Sequence, residues 1–151
     1  RIGMKYFAYG SNMNPQKMKE RNINYTERIP ATLKGYTLRF NKIASRNPAE
    51  GFANIVLNVN GVVEGVLYDL PDTDIEKLDK YEGFPNHYDR KKVRVLAAAG
   101  EEEALTYIAR SDKTGEGLKP TKVYLNHLLA ARDMLSEDYY ERLLRYDALD
   151  S

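Results

Sequence analysis

ANIVLNVNGVVEGVLYDL, residues 53–70, alternates apolar and polar side chains on both sides of Asn60-Gly61. Alternation puts one face of each half against a core, and Asn-Gly accepts the positive φ of a two-residue turn, so the stretch predicts an antiparallel hairpin. Working outward, residues 29–43 add two strand-like runs flanking Lys34-Gly35, and residues 88–98 and 104–109 add two more around Gly100. Toward the N-terminus, Tyr6-Phe7-Ala8-Tyr9 reads as a strand ending at Gly10. Asn14-Pro15 then opens a helix to about Asn22, with Asn as cap and Pro in the first turn. After Pro71, Thr73 and Glu76 have capping-box spacing for a short helix that Gly83 ends. Helical spacing returns in residues 120–134, through Val123, Asn126, His127, Ala130, Ala131 and Met134, and in residues 136–148, through Tyr139, Leu143 and Tyr146. Antiparallel strands with helices outside them define an α+β chain whose sheet curls or closes into a barrel.

The 151 residues fit one domain at roughly 150 residues per domain. Residues 4–151 are assigned to it, residues 1–3 read as a tag remnant, and residues 110–120 read as a lid or excursion within the domain. Composition removes whole chemistries. With no cysteine there is no disulfide, thiolate nucleophile, thiolate zinc site or iron-sulfur cluster. His87 and His127 are the only histidines, so a histidine-rich metal site is excluded and no metal is expected. The charges, 23 basic against 22 acidic, are spread along the chain, which argues against nucleic acid as a partner. No apolar run approaches the ~20 residues of a membrane span, and no apolar signal segment precedes Met4, so a cytoplasmic chain with no membrane partner is expected. Carboxylates, hydroxyls, backbone amides and twelve tyrosines remain to do chemistry.

Two places admit a functional reading beside a plain one. Tyr9-Gly10-Ser11-Asn12 lies between the first strand and the first helix. It is either an ordinary turn, since Gly, Ser and Asn are turn formers, or a set of free N–H groups at a helix N-terminus that favours an anion. No Gly-Lys-Ser/Thr follows and no Gly-x-Ser-x-Gly surrounds Ser11, so it is neither a Walker loop nor a nucleophile elbow. The second place is Glu82. Ile75 and Leu78 precede it by seven and four positions, which sets a carboxylate on the helix face that packs inward. Either it reaches solvent from the last turn, or burial and the helix C-terminus raise its pKa into the range useful for proton transfer.

Other residues carry less. Tyr88 and Tyr124 are either phenol donors to a substrate or half-buried packing residues. His87, after Pro85-Asn86, reads as an exposed loop residue, and His127, among Leu128, Leu129 and Ala130, as a packed or hydrogen-bonded one. Asp72 and Asp74 fit a helix start better than a metal site with Asp79, and Glu101-Glu102-Glu103 reads as a solvated turn.

At these places the sequence resembles the γ-glutamylcyclotransferase family, including its AIG2-like branch. FAYGSNM, GYTLRFNK, GFANIVLNVNGVVEGVLYDL, LDKYEGFPNHYDR and KPTKVYLNHLL are similar to family segments in family order, nearly throughout the chain from Met4. The resemblance implies a small mixed, mainly antiparallel β-barrel with flanking helices. It implies an enzyme that cyclises a γ-glutamyl group to 5-oxoproline and releases an amino acid or amine without a cofactor, and it admits a homodimer. Glu82 matches the acid/base of the family; Tyr9, Gly10, Ser11 and Asn12 match its substrate-binding loop; Tyr88 and Tyr124 match cavity tyrosines. The chain departs from the family where a tryptophan often precedes glycine, here Glu64-Gly65, and at Ala130-Ala131 and Met134-Leu135-Ser136. The leaving group therefore stays open between an amino acid, an amine and a γ-glutamyl-protected intermediate. A binding module of the same fold without catalysis is the remaining alternative.

Overall fold

In the computed structural model, which describes residues 3–150, the central strands are too long to be flat. β2 (Glu27–Ala44) has 18 residues and β3 (Asn47–Pro71) has 25, and at about 3.3 Å per residue the longer would span roughly 80 Å if straight. A break in register bends them. Lys34 pairs with Val62 and Tyr36 with Leu57, so Gly35 stands opposite the looped-out residues 58–61. Gly35 has φ +88°, and a Cβ on Gly61 would fall 2.2 Å from the Tyr36 carbonyl oxygen. The hairpin expected at Asn60-Gly61 and the break expected at Lys34-Gly35 are therefore one bulge shared by two continuous strands, and the chain reverses at Ser45-Arg46 instead. Turn-forming residues license a local kink; whether it becomes a reversal depends on which strand pairs across it.

The barrel closes around this bent pair. β1 (Gly3–Ala8) runs antiparallel to residues 66–71 of β3 and parallel to β5 (Gly100–Ala109) at Tyr6 and Leu105. β4 (Tyr88–Ala97) forms a hairpin with β5 and meets β2 at Thr32 and Leu96. The resulting order β1-β3-β2-β4-β5 is a closed mixed barrel, as the resemblance implied. Its core contains Phe7, Leu33, Val66, Tyr68, Val95 and Leu105, drawn from every strand. Glu101, Glu102 and Glu103 lie in β5 rather than in a turn. Arg1 and Ile2 of the segment read as a tag remnant lie outside the described residues, and Gly3 begins β1.

Helices close the ends. Asn14 caps α1 (Pro15–Glu20), its Oδ1 accepting from the Gln16 N–H at 3.0 Å, with Pro15 in the first turn as expected. α2 (Asp72–Glu82) begins without any side-chain cap, so the Thr73–Glu76 capping box does not form. The first-turn acids Asp72 and Asp74 face the helix N-terminus instead, and Asp74 is fixed by the Asn24 N–H at 2.6 Å and Lys77 at 3.1 Å. Gly83, at φ +65°, ends α2 in the left-handed conformation that only glycine adopts cheaply. Thr121 caps α3 (Lys122–Leu129) and Ser136 caps α4 (Glu137–Leu144), so both C-terminal helices are shorter than the periodicity suggested. Glu64 accepts from the Ser136 N–H at 2.7 Å and from its Oγ at 2.6 Å, which ties α4 to β3. Residues 110–120 are bonded to the β2–β3 hairpin through Gly115 N–H to Asn41 O and Gly51 N–H to Lys119 O, each 2.9 Å. Among the described residues no helix is long and apolar enough to cross a membrane.

Candidate active site

The inward face of α2 carries Ile75 and Leu78 into the core, and one turn later Glu82 on the same stripe. Burying two such side chains is worth about 3–6 kcal/mol, which fixes the helix while its last turn holds a half-buried carboxylate. Glu82 lines a cavity of about 30 Å³ together with Tyr6, Tyr9, Gly10, Ser11, Asn12, Ala53, Tyr88, Tyr107 and Tyr124. All seven residues singled out from the sequence meet there. Tyr6, Ala53 and Tyr107 were missed, since each is an ordinary strand residue that only barrel closure brings to the cavity.

Backbone and side-chain bonds hold each wall. Tyr9, just past β1, donates from its Oη to the Tyr107 carbonyl at 2.5 Å. Asn12 is buried and used at every polar atom of its amide: Nδ2 donates to Tyr6 Oη at 3.0 Å, and Oδ1 accepts from Arg21 at 2.6 Å. Its carbonyl accepts from Tyr68 Oη at 2.7 Å. The loop enters a short 3-10 turn, Ser11–Met13, before α1, so its free amides belong to that turn and not to the helix N-terminus. Gly10 has a negative φ of −116°; glycine is needed for close approach, because a Cβ there would lie 3.1 Å from both Ala53 Cβ and Tyr124 Oη. Ala53 is gripped from both sides. Tyr88 donates to its carbonyl at 2.7 Å, and its N–H donates to Tyr124 Oη at 3.1 Å. The Ser11 backbone supports that same phenol oxygen.

The electrostatics separate one group from the rest. Burial pushes the Glu82 pKa up to about 7, against the pull of Arg21 and Lys42, and no residue among those described donates a hydrogen bond to its carboxylate. Burial, with the Glu82 charge and neighbouring phenols, raises Tyr9 and Tyr88 well above the ordinary phenol value, and burial raises Tyr124 to about 12. These phenols are therefore protonated, neutral groups at physiological pH. Lys42 and Arg21, neither of them singled out from the sequence, supply the positive charge felt by Glu82. The signal for Lys42 was its place in the inward alternation of β2. His87, expected to be exposed, is half-buried against Gly83, whereas His127 Nδ1 pairs with Asn14 Nδ2 at 3.0 Å. Among the described residues no three metal-ligating side chains gather.

Residues 6–126 match the family described as gamma-glutamyl cyclotransferase, AIG2-like. A Bacillus subtilis (strain 168) protein named "Putative gamma-glutamylcyclotransferase YkqA" is 30% identical over 146 residues, covering 93% of this chain and 51% of that one. The chain thus spans about half the length of that relative. The crystal structure of YkqA superposes with a TM-score of 0.85 at 27% identity, covering 96% of this chain and 54% of its own. A structure named gamma-glutamyl cyclotransferase gives the same TM-score of 0.85 at 23% identity, over 99% of this chain and 90% of that one, which shows the shared fold. With 121 of its 151 residues, 6–126, matching that family, the chain belongs to the gamma-glutamyl cyclotransferase, AIG2-like family.

Proposed function

We propose that the protein cyclises the γ-glutamyl group of a small γ-glutamyl compound to 5-oxoproline, with Glu82 as the proton carrier. The observation that carries this reading is a carboxylate with no hydrogen-bond donor of its own, raised to a pKa of about 7, in a cavity walled by protonated phenols and backbone amides. A γ-glutamyl compound brings its own nucleophile. Its α-amine nitrogen attacks the γ-carbonyl carbon, the C–N bond to the departing group breaks, and a five-membered lactam forms. Holding the chain in the ring-closing conformer supplies much of the rate, because the attack is intramolecular. One proton must leave the α-amine and one must reach the departing nitrogen. A carboxyl group titrating near neutrality can take the first and return it as the second, so no cofactor is required.

The walls suit the remaining demands. The amides of Ser11 and Ala53, where the oxygen of Tyr124 now rests, are donors of the right kind for a substrate carboxylate or a developing oxyanion. At about 30 Å³ the cavity holds only a small group, so substrate takes the place of the Tyr124 hydroxyl and the departing half extends beyond the cavity. The test is release of 5-oxoproline from a panel of γ-glutamyl amino acids and γ-glutamylamines by purified protein. Glu82→Gln, which keeps shape but cannot accept a proton, is expected to bind substrate and to lose roughly 10²–10⁴-fold in turnover. Wild-type rates in that variant would remove Glu82 from the chemistry.

A further inference from the structure

Among the described residues Lys42 is a buried cation with no carboxylate in ion-pair range, and Glu82 acts on it only from farther away. β2 turns Leu38, Phe40, Lys42 and Ala44 inward, all buried, so a lysine fills a place that the strand's period of two gives to apolar side chains. It is 4% exposed. Its Nζ donates to the adjacent Ile43 carbonyl at 2.8 Å and stands 5.8 Å from the ring centroids of both Phe52 and Tyr88. The other buried charges are paired: Glu50 with Arg46 at 2.7 Å and Asp74 with Lys77 at 3.1 Å. Among the described residues no carboxylate lies in ion-pair range of Lys42, and leaving an ammonium buried and unpaired is costly.

Lys113 adds positive charge beside Lys42, and the Glu82 carboxylate offsets part of it. Burial and these two lysines hold the His87 pKa below its ordinary value, so the ring is neutral at pH 7, and its Nδ1 is buried with no hydrogen-bond partner. Asp112 opposes them at His87 but is itself engaged by Arg110 at 3.4 Å. The site therefore receives positive charge from two separate elements. Arg21, at the end of α1, is held by Asn12 of the glycine loop, whereas Lys42 comes from β2 beside Tyr88 and Phe52. A γ-glutamyl group has a single carboxylate. If the loop side takes it, the charge on the Tyr88 side is left for the departing half.

Resting on the cyclotransferase reading above, we propose that Lys42, backed by Lys113, recognises a second carboxylate carried by the departing half of the substrate. The site then selects γ-glutamyl amino acids over γ-glutamylamines. γ-Glutamylglycine and γ-glutamylmethylamine differ only in that carboxylate and are the probes. Titrated calorimetrically into Glu82→Gln protein, the glycine compound is expected to bind roughly ten- to a hundredfold more tightly. Lys42→Met in that background should abolish the preference, and Lys42→Arg, which keeps the charge, should retain most of it. Equal binding of the two probes, or a preference that survives Lys42→Met, overturns the proposal without any need for turnover. Wild-type turnover separates the two readings. Equal kcat/KM for 5-oxoproline release from both probes removes the carboxylate subsite and leaves the cyclotransferase reading intact. No release from either probe, with the binding preference present and Lys42-dependent, removes the cyclotransferase reading and leaves the subsite standing.

Discussion

Asp79 and Glu82 stand three residues apart on α2, and their surroundings shift their pKa values in opposite directions. Asp79 faces β4 and β5, where Arg90 Nε donates to Oδ1 at 2.9 Å, a second guanidinium nitrogen engages Oδ2, and Tyr107 Oη donates to Oδ1 at 2.6 Å. Burial pulls the Asp79 pKa up, but the bonds from Arg90 and Tyr107 and the Arg90 charge outweigh it and hold the carboxyl below its ordinary value. Glu82 has no such donor, and burial carries it to about 7. One helix thus presents a fixed anion to the scaffold and a proton-exchanging group to the cavity. The supply of partners, rather than residue type or burial alone, sets the difference. The two sides are mechanically joined by Tyr107, whose hydroxyl binds Asp79 while its carbonyl accepts from Tyr9 across the cavity wall.

The largest way to break this contrast is the pH dependence of turnover. If Glu82 must be ionised to receive the proton, kcat/KM falls about tenfold per pH unit below its pKa of about 7, and a flat profile between pH 5 and 8 would assign the step elsewhere. Stability sharpens it next, with opposite signs for the two carboxyls. Asp79→Asn should lower unfolding free energy at pH 7 by roughly 1–3 kcal/mol in urea titrations, since it removes an acceptor for charge-assisted bonds. Because folding depresses the Asp79 pKa, that stabilisation is present above the ordinary carboxylate range and is lost as pH falls through it. The gap between wild type and Asp79→Asn should therefore close below about pH 4. Glu82 has a raised pKa in the folded state, so ionising it costs stability as pH rises from about 4.5 toward 7. Glu82→Gln should be more stable than wild type at pH 8 by about 1–3 kcal/mol, with the gain vanishing toward pH 4; a loss at pH 8 would mean that the carboxylate has an unseen partner. The smallest expected effect is that of Ser11→Ala, less than about threefold in kcat/KM, because the loop presents backbone amides. A loss comparable to that of Glu82→Gln would give the hydroxyl a chemical role.

Much of the site was legible because it is local. Ile75, Leu78 and Glu82 repeat at helical spacing, and Tyr9 to Asn12 follow a strand directly, so periodicity alone points each group inward or into a loop. What was not legible came from distant strands. Tyr6, Ala53 and Tyr107 reach the cavity only because β1, β3 and β5 close on one another, and Asn60-Gly61 carries the same residues whether it makes a reversal or a bulge. Lys42 lay in plain view within an alternating run, but a single lysine on an inward face is informative only once its missing partner can be seen.

Taken alone, the sequence determined the chemistry available: no thiol, two histidines, and one carboxylate on the apolar stripe of a short helix. It also determined where most strands and helices lie, since side-chain period is a property of adjacent residues, but not where the long strands bend or reverse. Only the tertiary structure decided which carboxylate stays ionised. That depends on whether Arg90 and a phenol from other strands come within bonding distance, and long-range pairing in a closed barrel is not encoded in any local stretch.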